Sequence, residues 1–307
     1  MPTILVTGAT GHQGGALINA LLSSPSASTL RIFALTRNSS SPASTSLASR
    51  NVTLVRGDTA VSSASIFAEV NKLTNGVPLD AVFLVTALTP QKPFGSKAPT
   101  EEEQALPFID AAASAGVKHL VFTSVERGAS ADTDPTSVPH FASKFRIEQH
   151  LKRRCGETGG RMTWTILRPT FFMDMLTDDF TGRTFAALWG GLGRKPLQWI
   201  ASSDIGVFAA RAVLEPGKYG GKSIGMAGDE LTLEEGRKVF REVFGREMNV
   251  GYAVTGKLVK TMVSDVGTMF EWLGKEGFKA DVKWCNEQGA MTFKEWLLKE
   301  SAFRDKK

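Results

Sequence analysis

Short apolar runs rich in β-branched residues alternate, through the first half of the chain, with stretches of helical period. Residues 4–7 form the first such run and end in a glycine-rich loop, after which the apolar positions of residues 16–22 fall at helical spacing. Residues 30–36 and 52–55 read as further strands. Residues 81–86 and 119–124 are almost continuously apolar, as strands covered on both faces of a parallel sheet must be. Thr100-Glu101-Glu102-Glu103 has capping-box spacing and predicts a helix from there to about Ala115, ended by Gly116. Residues 139–154 predict another helix and residues 163–167 a sixth strand. This alternation with short links predicts an α/β fold, a doubly wound parallel sheet with right-handed crossovers.

The pattern changes after Pro169. Residues 170–193 are aromatic and glycine-rich without strand alternation, and residues 203–214 read as a helix returning to the main sheet. Residues 231–245 predict an amphipathic helix with Val239, Phe240, Val243 and Phe244 on one face, opened by Thr232 with Glu235 three positions later. The remainder reads as mostly helical, with Trp272, Trp284 and Trp296 as packing residues. A core over residues 1–169 and a smaller, mostly helical C-terminal lobe over residues 170–307 are expected, interleaved without a linker. The serine-rich residues 37–50 read as a mobile surface loop.

With 42% hydrophobic and 22% charged residues, the chain has the balance of a globular protein, and it lacks any apolar run of about 18 residues that would predict a membrane helix. Two cysteines, Cys155 and Cys285, are too few for a disulfide scaffold or a multi-cysteine zinc site, and no metal site is expected. The net charge of +5 is spread along the chain without a basic stripe, so direct nucleic-acid binding is not expected. The amino terminus enters a strand at once, which predicts no signal peptide and a cytoplasmic address, with the nucleus also open.

The strongest chemical signal follows the first strand. Gly8, Ala9, Thr10, Gly11, His12, Gln13 and Gly14 place three glycines at the spacing of a dinucleotide fingerprint, between a strand and a helix. Gly8 permits the tight turn, Gly11 lets the backbone approach a pyrophosphate, and Gly14 lets helix and strand pack closely. Free N–H groups at the helix start then face the phosphates. The absence of a following Gly-Lys-Ser/Thr excludes a P-loop. At the second strand end, where an NAD site places an acid for the ribose hydroxyl, the chain has Arg37, which suits a 2′-phosphate; NADP(H) is therefore expected as cofactor. Asp58 and Thr59 follow the third strand, where Asp58 serves either the adenine or the N-cap of the next helix. Thr86, Ala87 and Leu88 leave the fourth strand at its carboxyl end, and Ser124 the fifth, the edge where such sheets bind ligands.

Together these segments resemble the short-chain dehydrogenase/reductase superfamily, and specifically its atypical NmrA-like family of NADPH sensors and quinone-reductase-like members. The resemblance is carried by ILVTGATGHQGGAL at 4–17, ALTRN at 34–38, RGD at 56–58, HFASKFRIEQHL at 140–151, TWTILRPTFFMDML at 163–176 and AMTFKEWL at 290–297. It implies a Rossmann-type core. The superfamily pairs a tyrosine with a lysine four residues later, one helical turn apart, so that the ammonium lowers the phenol pKa and binds the nicotinamide ribose. This sequence keeps Lys144 but has His140 in place of the tyrosine, and its only tyrosines are Tyr219 and Tyr252. Lys144 and His140 are the candidate catalytic residues, with Lys144 also holding the ribose and His140 able to titrate near neutrality. The resemblance further implies that Pro169, Thr170, Phe171 and Phe172 lie against the nicotinamide, with the aromatics as an apolar wall.

The expected function is an NADPH-dependent oxidoreductase that transfers hydride to an apolar carbonyl, quinone or enone. The alternative is a non-catalytic NADP(H) sensor whose partner is a regulatory protein and whose serine-rich segment orders on binding. Oligomeric state is left open. If Arg37 reads the 2′-phosphate, Arg37→Ala removes a charge-assisted contact and should lower the NADPH-over-NADH preference by about 10–150-fold, measured by titrating both coenzymes; an unchanged ratio rejects the role.

Overall fold

The computed structural model describes residues 1–87, 98–251 and 264–304. Its strands are β1 (Thr3–Val6), β2 (Arg31–Thr36), β3 (Thr53–Arg56), β4 (Ala81–Leu84), β5 (His119–Thr123), β6 (Thr163–Pro169), β7 (Phe171–Phe172), β8 (Leu197–Ile200), β9 (Lys222–Met226) and β10 (Asp229–Leu231). Seven of them form one sheet in the order β3-β2-β1-β4-β5-β6-β9. The pairings from β3 through β6 are all parallel. The order reverses at β1, which lies between β2 and β4, and this creates the switch point at whose carboxyl edge open α/β sheets bind their ligands. The expected α/β class and doubly wound Rossmann-type sheet are thus present.

The chain divides into two compact units. The first comprises Met1–Ser124, Ser143–Leu167 and Ile205–Ile224, and the second Val125–Ala142, Arg168–Asp204 and Gly225–Lys307. Stretches on both sides of residue 169 therefore exchange between the units.

In the first unit, α1 (His12–Leu22), α2 (Pro42–Ala48), α3 (Ser63–Leu73) and α4 (Glu101–Ser114) follow successive strands, and α5 (Pro139–Glu157) leads into β6. Leu5, Phe33, Val82, Phe108, Leu120 and Ile147 are fully buried in its core. Their burial on both sheet faces is why these strands read as continuous apolar runs. α4 opens on the capping box between Thr100 and Glu103 and stops before Gly116, whose φ is +74°. α6 (Phe180–Gly190) follows further along the chain, and the helix expected over residues 203–214 is α7 (Ser202–Leu214). α7 lies on α1, where a Cβ on Gly206 would come within 2.4 Å of the Ala16 backbone.

One expectation is corrected. Residues 37–50 are not a mobile loop. Ser41 caps α2 by accepting from the Ser44 N–H, and Pro42 sits in the first turn. Ser44 is fully buried, bonded to Thr36 Oγ1 at 3.0 Å and donating to the Asn38 carbonyl at 2.7 Å. Serine hydroxyls that look like linker composition instead satisfy the start of a short helix, and the proline presets its φ.

The second unit carries a three-stranded sheet in the order β10-β8-β7, not foreseen in the sequence, with β8 antiparallel to β10 and parallel to β7. Around it stand α6, α9 (Leu233–Phe244), α10 (Ser264–Lys275), α11 (Val282–Glu287) and α12 (Phe293–Lys299), and the short α8 (Pro216–Tyr219) belongs to the first unit. Val239, Phe240, Val243 and Phe244 of α9 join the core with Trp272 and Trp296, while Trp284 is half-buried. Among the described residues no helix is long and apolar enough to cross a membrane.

His119, at the start of β5, is fully buried between Thr163 Oγ1 at 2.7 Å and Thr165 Oγ1 at 3.1 Å. Burial pushes its pKa down from 6.5 to about 4, so the fold favours the neutral ring. The stability this confers is complete above pH 6.5 and is lost as the pH falls toward 4, by about 3 kcal/mol in all. Urea unfolding should show that loss in the wild type and a flatter profile between those limits in His119→Gln.

Candidate functional site

The glycine loop closes by backbone contact. Gly8 has φ +56°, and a Cβ there would lie 2.5 Å from Val85 Cγ1; on Gly14 it would lie 2.3 Å from the Gly8 carbonyl oxygen. The first turn of α1 therefore rests directly on the loop, as the sequence predicts. Gly11 donates its N–H to the Gly8 carbonyl at 2.9 Å and is the N-cap of α1. No side chain caps this helix and its first turn contains no acid, so its N–H groups and positive dipole end suit an anion. Thr10, Gly11 and His12 are exposed, while Ala9 is buried. Thr7 Oγ1 accepts from the Val85 N–H at 2.9 Å, and Gln13 Oε1 accepts from Thr123 Oγ1 at 2.6 Å, which ties the loop to the ends of β4 and β5. A diphosphate fits this cradle.

Beside it, at the carboxyl ends of β4 and β5, lies a buried polar cluster. Lys144 Nζ sits 2.9 Å from Glu101 Oε1, donates to Thr86 Oγ1 at 2.7 Å and to the Thr123 carbonyl at 3.1 Å, and stands 5.1 Å above the centre of the Phe122 ring. Thr86 Oγ1 in turn donates to Glu101 Oε1 at 2.6 Å. Gln104 takes both the N–H and the carbonyl of Ala87, at 3.0 and 2.9 Å. The Ser124 hydroxyl donates to Glu148, a carboxylate with no solvent exposure. Of the residues picked out in the sequence, the structure thus brings together Gln13, Thr86, Ala87, Ser124 and Lys144, next to the loop of Gly8 to Gly14.

Glu101, Gln104 and Glu148 were missed. Glu101 read as one of three acids at a helix start, but the capping box uses only Thr100 and Glu103. The surplus acid in the first turn was the available signal.

Arg37 is exposed at the end of β2, and no carboxylate among the described residues pairs with it. Asp58 is not the N-cap of α3, a position held by Ser62; its Oδ1 instead accepts from the Ala60 N–H at 2.9 Å in the turn after β3. Thr59 is half-buried beside it. Leu88 lies outside the described residues.

The remaining picks belong to the second unit. His140 is half-buried in the first turn of α5, its ring 4.7 Å from that of Phe141. The Pro169 carbonyl accepts from the Glu126 N–H, and Thr170 gives both its N–H and its hydroxyl to the Met226 carbonyl. Phe171 packs edge-on against Phe185, Trp199 and Phe270, and Phe172 is half-buried. These contacts make Phe171 and Thr170 part of that unit's framework. A cavity of about 330 Å³ in the same unit, walled by Arg127, Trp272, Lys275 and Lys279, includes none of the candidate site residues. Burial pushes the Cys155 thiol up to about 12 and the Cys285 thiol up as well, so neither is a thiolate at neutral pH. No metal-binding cluster occurs among the described residues.

The sheet order and the glycine loop are those of a Rossmann-type α/β protein. The NmrA-like family model matches residues 1–300, and the chain belongs to that family. An NmrA-like family domain-containing oxidoreductase of Aspergillus hancockii is 28% identical over 256 residues, covering 80% of this chain and 73% of its own. Among solved structures, the NADPH-dependent quinone oxidoreductase QOR2 of Escherichia coli, complexed with NADPH, superposes with a TM-score of 0.69 at 21% identity, covering 96% of this chain and 98% of its own. Nmra, a negative transcriptional regulator, does so with a TM-score of 0.67 at 18% identity, covering 99% and 97%.

The buried ion pair has a measurable consequence. Lys144→Met strands the Glu101 carboxylate and should destabilise the protein by about 3–5 kcal/mol in urea unfolding, whereas Glu101→Gln/Lys144→Met, which removes both charges, should recover most of that loss.

Proposed function

We propose that this chain is an NADPH-dependent oxidoreductase that reduces an apolar carbonyl, quinone or enone. The reading is carried by one observation: an uncapped helix start closed onto the Gly8–Gly14 loop, beside a buried lysine cluster on the same sheet edge. The N–H groups of α1 would hold the pyrophosphate, Arg37 the 2′-phosphate, and the ends of β4 and β5 the nicotinamide half. Bound there, the coenzyme supplies a hydride. The protein's own part is to orient that half and keep water from it, which the tied-down ends of β4 and β5 are built to do. Among the described residues no phenol is placed to donate the proton: Tyr219 is buried, with Lys218 Nζ 5.1 Å from its ring centre. His140 or a water supplies it. The oxidoreductase names of sequence relatives support this reading, as does a quinone reductase among the fold neighbours.

A non-catalytic NADP(H) sensor acting on a protein partner is the second reading. One observation favours it: Lys144 is buried, donates to Thr86 Oγ1 and the Thr123 carbonyl and is ion-paired with Glu101, so this lysine offers no ready proton. The serine-rich segment no longer supports it, since α2 is held by its own hydrogen bonds.

Turnover separates the two. With the protein saturated in NADPH, loss of reduced-nicotinamide absorbance is followed against quinones, enones and aromatic aldehydes. Oxidation above the blank is expected with at least one class. Tight NADPH binding with no oxidation would place the chain among sensors, and absence of binding would reject both readings.

A further inference from the structure

The cluster around Lys144 contains an imbalance that its sequence pattern does not show. An ammonium has three N–H donors and no acceptor. Here it donates to Thr86 Oγ1 and the Thr123 carbonyl and stands 2.9 Å from Glu101 Oε1 as an ion pair, so its charge is met by protein. Glu101 is the reverse case. Its Oε1 accepts from Thr86 and pairs with the Lys144 ammonium, while Oε2 is buried and has no hydrogen-bond partner, on a side chain only 5% exposed. A carboxylate oxygen in that state accepts and cannot donate, so the ligand group that completes it must be a hydrogen-bond donor; a phosphate would be repelled.

The strand order says which part of a dinucleotide comes near. With the pyrophosphate on the loop after β1 and Arg37 at the end of β2 on one side, the other half falls toward β4 and β5, where Thr86, Thr123 and this carboxylate lie. Ribose hydroxyls are the donors that carboxylates already take on the adenosine side of NAD sites. We propose that Glu101, through Oε2, accepts the hydrogen bond from a hydroxyl of the nicotinamide ribose, and that Lys144 is the positioning residue that holds the carboxylate in place. This rests on the coenzyme reading above. It adds an acid on a different helix to the ribose contact expected of Lys144.

Calorimetry of three ligands on the wild type and Glu101→Gln tests it. NADPH affinity should fall about tenfold or more in the variant, which is about 1.4 kcal/mol per factor of ten. Adenosine 2′,5′-bisphosphate, which lacks the nicotinamide riboside, should bind both proteins equally, and this also shows that the variant is folded. The 3-acetylpyridine analogue of NADPH, which keeps the ribose but has no carboxamide N–H, should show the same tenfold loss. Equal NADPH binding, an equal loss for the bisphosphate, or a loss that disappears with the acetylpyridine analogue each overturns the proposal. If Glu101→Gln does not fold, the same three titrations compare Lys144→Met with Glu101→Gln/Lys144→Met, and the proposal expects the second to bind NADPH more weakly than the first with the bisphosphate unchanged. Wild-type protein that binds neither NADPH nor the bisphosphate would instead overturn the coenzyme reading, and this inference with it.

Discussion

The contact on which the first unit turns is the approach of α1 to the loop after β1. Where a Cβ on Gly14 would lie 2.3 Å from the Gly8 carbonyl, any side chain would lift the helix off the loop. That closeness fixes where the helix dipole points and leaves the first N–H groups of α1 facing outward. It also brings Thr7 and Gln13 within reach of the neighbouring strands. Thr7 clamps Val85 at the end of β4, and Gln13 takes the hydroxyl of Thr123 at the end of β5. Three strand ends are therefore held by hydrogen bonds as well as by the sheet ladder.

The polar cluster extends this scaffold. A buried ion pair is weak evidence for stability, because desolvation of both charges offsets most of their attraction. What Lys144 and Glu101 do contribute is position. Thr86 bridges them, Gln104 locks the backbone of Ala87, and the Thr123 carbonyl takes a second donor of the lysine. Each group restricts the others, so the arrangement has few alternatives of similar energy. Such mutual restraint is what a site needs if it must hold a ribose in one orientation.

Much of this was legible in the chain. Strands β1 to β6 appear in the sequence within a residue or two of their ends, because both faces of a parallel sheet are covered and the runs are unbroken. The glycine loop was legible because strand, turn and helix follow one another locally. The small sheet of the second unit was not: β7 has two residues and β10 three, too short for a period of two to register. Nor was the partner of Lys144. Glu101 lies 43 positions earlier, on another helix, in a run of acids whose local explanation as a cap was correct for its neighbours and wrong for it. Local pattern identifies the residues that a helix or turn requires. It does not identify a buried charge whose reason is tertiary.

The same pair gives physical sense to the missing tyrosine. In the superfamily pattern the lysine's positive charge has a task, to stabilise a phenolate in the transition state. With His140 at that position, there is no phenolate to stabilise, and an unpaired ammonium under the sheet edge would carry a large desolvation penalty. Glu101 at 2.9 Å removes that penalty and leaves one carboxylate oxygen over. Whatever chemistry follows, its proton cannot come from the lysine without first breaking the ion pair that keeps this edge in order.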